Sequence, residues 1–296
     1  QVRAVRHIRA GESISLPYVK LSEPTHLRQK VLQEEKGFRC SCLRCVGLVE
    51  ITNNIMSMRC ASCKHGFVNP RSASSIERGE DWVCGTCANQ IPSAQISSLE
   101  RDWHAKLCNL EGQVTRNSLA KLEILKFRNS ICKQLHENHW LLFRCNFVIV
   151  AYHQQEYNGS PDTCRKYDML AACRNAMRFC ALPDMVLPHA CATLQRNLAT
   201  GMLYTQLPSP SDRYHYYNQI LIVLEEAAAI VTKSQGYHMT KMLSIPEGLD
   251  FVRKCRDDLM CPNGFSEEEE RAALRGLVPE SKLNAYFRET ATVFNQ

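Results

Sequence analysis

GFRCSCLRC, residues 37–45, places three thiols within six residues. A structural zinc site closes a tetrahedron with four ligands, so Cys40, Cys42 and Cys45 form a set whose fourth member must come from elsewhere in the fold. Among these residues His65, Cys108 or a shared ribbon cysteine are open choices, and nothing local selects one. Just downstream, Cys60-Ala-Ser-Cys63 and Cys84-Gly-Thr-Cys87 form two knuckles separated by 20 residues. Each knuckle turns two thiolates to one side, and two facing knuckles complete a four-sulfur site with no open position. Such a site holds Zn2+ as a fold-stabilising clip and cannot activate water. Without a βαβ context, a redox use of either pair is not expected.

The chain has 296 residues and sixteen cysteines, with 45% hydrophobic and 22% charged residues. That is enough to bury a core in one large domain or two ordinary ones. Disulfide-rich scaffolds are usually small and loop-rich, which this chain is not. Nine cysteines outside the clusters lie in apolar periodic segments, where a reduced thiol acts as a small hydrophobe, so a cytoplasmic or nuclear location is expected. The most apolar window, residues 140–152, is interrupted by Arg144 and Asn146 and is too short to cross a bilayer. Residues 1–45 carry nine Lys or Arg against four acidic residues, most of the net charge of +6. This is compatible with a basic partner-binding face. The ribbon segment lacks a dense basic stripe, which argues against direct nucleic-acid binding.

In SISLPYV the alternation of Ile14, Leu16 and Tyr18 with Ser13, Ser15 and Pro17 predicts a half-buried strand that is either an edge strand or ends at the proline. A short helix follows, with Ser22 as N-cap, Leu27 and Val31 on one face, and Gly37 as the stop. After Pro92, three- and four-residue apolar steps predict helices near 119–135, 141–156, 164–181, 189–206, 213–235, 247–259, 266–277 and 281–294. Breakers such as NGSP, LPDMVLP and LPSPS separate them. The fold class expected is therefore mostly α, with a small β and zinc-binding N-terminal region before a helical, tetratricopeptide-like domain. No clean 34-residue repeat is visible.

The run AGESISLPYVKLSEPTHLRQKVLQEEKGFRCSCLRC resembles the end of the SET domain and the post-SET segment of the SET and MYND domain family of protein-lysine methyltransferases. Gly11, Glu12, Ile14, Leu16 and Tyr18 fall on that family's strand pattern. Arg28 and Leu32 fall on its helix, and Phe38, Cys40, Cys42 and Cys45 on its cysteine cluster. Several members also carry a four-cysteine insertion and then a helical domain, in this order. The resemblance implies boundaries of 1–36 for the end of SET, 37–53 for the post-SET cluster, 54–92 for the zinc-ribbon-like insertion and 93–296 for the helical domain.

It also implies S-adenosylmethionine as methyl donor and a lysine-bearing protein, histone or non-histone, as substrate. Tyr18 would be the catalytic tyrosine that orients amine and methyl and touches the cofactor. Phe38 would pack on the cofactor, and Cys40, Cys42 and Cys45 would take a fourth zinc ligand from an earlier Asn-His-x-Cys segment. This sequence contains no such segment, no glycine-rich cofactor turn and no MYND finger. A pocket assembled from discontinuous segments does not form from its last two, so these residues by themselves are expected neither to bind S-adenosylmethionine nor to transfer methyl groups. Two positions depart from the pattern: Lys36 stands where an aromatic commonly lines the lysine channel, and Pro17 where a small polar residue precedes the tyrosine. The competing reading is a non-catalytic, zinc-stabilised helical scaffold that binds protein partners.

Overall fold

The computed structural model describes residues 4, 8–12, 14, 16–47, 49–72, 75–76, 78–114, 118–156, 163–183, 185, 187–203, 210–234, 240 and 244–257. Its described residues are mostly helical, with one small antiparallel sheet in the cysteine-rich region. Helix α1 (Thr25–Lys36) starts after Pro24 rather than at Ser22. It ends at Gly37, whose φ of 71° is the left-handed value that glycine adopts without a Cβ penalty. Short helices α2 (Leu43–Val46) and α3 (Val49–Thr52) follow.

The expected strand over SISLPYV is absent from its described residues, which are irregular, with Ile14 76% and Leu16 53% exposed. Period-2 alternation marks a chain suited to a sheet edge, and among the described residues no strand pairs with it.

The sheet comprises β1 (Met58–Arg59), β2 (Phe67–Asn69), β3 (Trp82–Cys84) and β4 (Gln90–Ile91) in sequential antiparallel order. Met58 opposes Val68, Val68 opposes Cys84, and Trp82 opposes Ile91. These strands are too short to be stable alone. Met58, Val68, Trp82 and Cys84 are buried, and the knuckles stand at the strand ends. The edge of β1 is covered: Arg59 N–H donates to the Gln134 carbonyl at 2.7 Å and His136 N–H to the Ser57 carbonyl at 3.0 Å. The ribbon is thereby tied to the turn between two helices.

Those helices are α5 (Ser118–Ile131) and α6 (Trp140–Glu156), which pack with α4 (Ser93–Val114). Helix α7 spans Thr163–Cys180, α8 Pro188–Leu203, α9 Pro210–Ser234 and α10 Ile245–Asp257. Six of the eight helices expected after residue 92 thus lie within three residues of their expected bounds at the start, while those at 266–277 and 281–294 lie outside the described residues. Helix α4 was not anticipated individually, because Glu100 interrupts its stripe of Ile96, Leu107 and Leu110. That carboxylate accepts the Trp140 indole N–H at 2.6 Å, which satisfies both groups in the core.

The chain forms two compact units. One comprises residues 8–159 and 171–187, and contains the sheet, both cysteine clusters and helices α1 to α6. Phe143 and Phe179 stack in it at 4.4 Å. In the other, α9 packs on α8 and α10 around Ala192, Ala227, Val231 and Ile245. Among the described residues no helix is long and apolar enough to cross a membrane.

Candidate metal centres and the Tyr18–Phe38 pair

The two knuckles meet as their spacing predicts. All four sulfurs of Cys60, Cys63, Cys84 and Cys87 lie within 4.8 Å of one another, with Cys60 to Cys87 at 3.7 Å and Cys63 to Cys84 at 3.8 Å. A tetrahedron with Zn–S bonds of about 2.3 Å has edges of about 3.8 Å, so the donor set fits zinc in size and chemistry. Backbone N–H groups already point at the sulfurs. Gly66 donates to Cys63 Sγ at 3.3 Å and Thr86 to Cys84 Sγ at 3.4 Å. The Cys87 and Thr86 N–H groups bring the Cys84 thiol down to about 6, favouring the thiolate that a metal binds. Gly66 is required by space, since a Cβ there would lie 2.5 Å from Thr86 Oγ1 and 2.7 Å from Cys84 Sγ.

Cys40, Cys42 and Cys45 also converge within 4.8 Å, and among the described residues no fourth His, Cys or carboxylate joins them. Neither His65 nor Cys108 does; the Cys108 sulfur instead accepts from Arg144 at 3.4 Å. The three-thiol loop is held by α1. Gln29 clamps Cys40 at two points, accepting its N–H at 3.0 Å and donating to its carbonyl at 2.7 Å. Arg28, only 2% exposed, donates to Cys45 Sγ at 3.3 Å and to the Glu50 carboxylate. Arg44 donates to the same carboxylate at 2.9 Å and the Thr25 N–H at 2.6 Å. Burial alone raises a carboxyl group's pKa, but here the two guanidiniums prevail and hold Glu50 below its ordinary value. This network explains why α1 buries Thr25, Arg28, Gln29 and Leu32 rather than the Leu27 and Val31 face. Its signal in the sequence was Arg28 on the motif; Gln29, Arg44 and Glu50 carried none.

Tyr18 and Phe38 come together edge to face, with ring centroids 5.8 Å apart at 81°. Both are open to solvent, Tyr18 at 61% and Phe38 at 39%. Lys36 is also exposed, with Glu35 4.0 Å from its ammonium. Among the scattered cysteines, burial pushes Cys145, Cys173 and Cys191 up to about 12, as befits inert core thiols. Cys108 and Cys132 are exposed instead.

No known family profile matches the chain. A stretch of 44 residues is 43% identical to Protein SET DOMAIN GROUP 41 of Arabidopsis thaliana, covering 15% of this chain and 8% of that protein. The match supports a relationship to SET-domain proteins, and its short span means that the whole relative's activity is not carried over with it.

Proposed function

We propose that these residues belong to a SET-domain protein-lysine methyltransferase of the SET and MYND type, as the end of its SET domain, post-SET cluster, zinc insertion and helical domain. The observation that carries this reading is the pairing of Tyr18 with Phe38 beside the three-thiol loop, two side chains that sequence separates by a helix. The methyl donor, S-adenosylmethionine, supplies an electrophilic methyl group when bound. Phe38 would form one apolar wall of its pocket, and the Tyr18 hydroxyl would orient the substrate amine toward the methyl group. The exposure of both rings fits one side of a pocket whose remaining walls come from other segments. The described residues alone do not enclose a cofactor. Zinc at Cys40, Cys42 and Cys45, completed by a further ligand, would hold Phe38 in register, and the four-sulfur site would stiffen the ribbon.

Methyl transfer by the full natural polypeptide, followed with radiolabelled S-adenosylmethionine on lysine-bearing proteins including histones, tests the reading. Tyr18→Phe is expected to reduce transfer while zinc content stays the same; unchanged transfer by that variant refutes the assigned role.

A second reading has its own observation. Ile14, Leu16, Tyr18, Phe38, Leu43 and Val46 are all exposed apolar side chains in residues 14–46. A concentration of this kind marks an interaction surface. On that reading the protein is a non-catalytic, zinc-stabilised scaffold, located in the cytoplasm or nucleus, whose N-terminal region docks another protein. Absence of methyl transfer together with stable partner capture through Leu43 and Val46 favours it.

A further inference from the structure

We propose that the cleft between the ribbon and helices α5, α6 and α7 is a binding site for a phosphate monoester. The cleft has a volume of about 440 Å³, within the usual range for small-ligand sites, and lies wholly inside the unit that carries both cysteine clusters. Three arginines line it: Arg59 from β1, Arg128 from α5 and Arg178 from α7. Three separate elements thus deliver guanidinium groups to one concavity.

The partners of these arginines set the charge of the site. Arg178 is paired with Glu137 at 3.1 Å, and the pair is neutral. Arg128 donates to the Asn129 side chain at 3.2 and 2.8 Å and to Asn146 Oδ1 at 3.3 Å. Arg59 donates to the Lys133 and Lys64 carbonyls, each at 3.2 Å, and its guanidinium lies 5.3 Å from the Phe67 ring centroid. Among the described residues, neither Arg59 nor Arg128 has a carboxylate partner. They are held in place by neutral acceptors and leave the cleft with two uncompensated positive charges. A carboxylate ligand would neutralise one. A phosphate monoester, with a charge of about −1.5 to −2 and three acceptor oxygens, matches both charge and donor number.

The remaining lining agrees. His136 Nδ1 accepts the Asn138 N–H at 3.1 Å, so the neutral ring carries its proton on Nε2 and offers a donor. Asn175 adds an amide. Phe67, Leu135 and Leu142 supply apolar surface, which suits a carbon group attached to the phosphate better than a free inorganic ion. The same chemistry is presented by a phosphorylated side chain of a peptide and by a small organic phosphate.

The test is calorimetric titration of the zinc-loaded chain at constant ionic strength with phenyl phosphate, with a phosphoserine peptide and with the same peptide unphosphorylated. Phenyl phosphate is expected to bind, more weakly as salt rises, and Arg128→Gln to weaken it at least about tenfold. Arg253→Gln, at an exposed arginine paired with Glu225 on α9, is expected to leave binding unchanged. Asn175→Asp, which places a negative charge in the cleft without removing an arginine, provides a second perturbation if Arg128→Gln loses zinc or melts early; it should abolish binding. A phosphopeptide that binds at least about tenfold tighter than phenyl phosphate, with no binding of its unphosphorylated form, identifies a protein ligand. Equal affinities identify a small phosphate. The proposal is overturned if phenyl phosphate fails to bind at about 10 mM, if Arg253→Gln weakens binding as much as Arg128→Gln, or if a folded Arg128→Gln or Asn175→Asp chain binds as wild type does.

Discussion

Replacing Glu50 with Ala should loosen the region around the three-thiol loop more than any surface substitution near it. Glu50 is 3% exposed and accepts from Thr25, Arg28 and Arg44. Removing it leaves two guanidiniums, on side chains that are 2% and 10% exposed, without a carboxylate partner among the described residues. Breaking a buried pair in this way costs about 3–5 kcal/mol. The chain has two compact units and two cysteine clusters that could hold metal, so a single global unfolding energy is a poor measure. Hydrogen exchange read by mass spectrometry resolves the affected segment instead. If α1 and α3 exchange by local opening, 3–5 kcal/mol corresponds to exchange roughly 10²–10⁴ times faster. Glu34→Gln is the comparison, because Glu34 and Lys30 form an exposed pair at 4.0 Å whose loss costs under about 1 kcal/mol. The reasoning about a buried ionic lock is refuted if the two variants exchange alike in residues 25–52. The pH dependence has a definite sign. Glu50 has a lowered value in the fold, so its contribution is complete above the ordinary carboxylate range near 4.3 and is lost as pH falls through the lowered value.

Other expectations concern the metal centres and the core. Native mass spectrometry should find one tightly held zinc that Cys84→Ser removes, and chelation should unfold residues 58–91 while α8 to α10 keep their helicity. Gly66→Ala, by pressing on Cys84 Sγ, should weaken zinc affinity roughly 10–100-fold in a competition titration; unchanged affinity would mean that the knuckle relaxes. Glu100→Ala leaves the buried Trp140 N–H unpaired and should cost about 1–3 kcal/mol, with a change in tryptophan emission. His139 is fully buried, and burial lowers its value to about 3, so the unfolded chain takes up a proton below about pH 6.5 that the folded chain refuses. The stability of the unit that holds His139 should therefore fall by up to about 1.4 kcal/mol per pH unit between about 6.5 and about 3, and His139→Asn should flatten that slope in denaturant melts followed by tryptophan emission.

Long periodic helices and paired knuckles were legible in the sequence because their signals are local. Cys60 and Cys63 occupy one tight turn, and the stripes of α5 to α10 repeat every three or four residues whatever lies opposite. The irregular course of residues 14 and 16–18 was not legible, since alternation states which faces a strand would have and not whether a strand pairs with it. Helix α4 was obscured by a charge, Glu100, whose justification is an indole forty residues away. The arginine-lined cleft was illegible for the same reason: Arg59, Arg128 and Arg178 are isolated basic residues until the sheet and two helices bring them together.

Helix α1 shows most directly how the site overrides local pattern. Leu27 and Val31 are the larger apolar pair, and hydrophobic burial alone would turn them inward at about 1.5–3 kcal/mol each. Both are instead only half-buried, and the buried face is Thr25, Arg28, Gln29 and Leu32. Turning the helix to bury Leu27 and Val31 would break the Gln29 clamp on Cys40 and the Arg28 contacts with Cys45 and Glu50. It would also leave the Glu50 carboxylate buried with part of its charge uncompensated, a penalty comparable with the apolar gain. The helix orientation is therefore set by the three-thiol loop that it holds, and Phe38, the first residue after the Gly37 stop, is delivered to Tyr18 as a consequence.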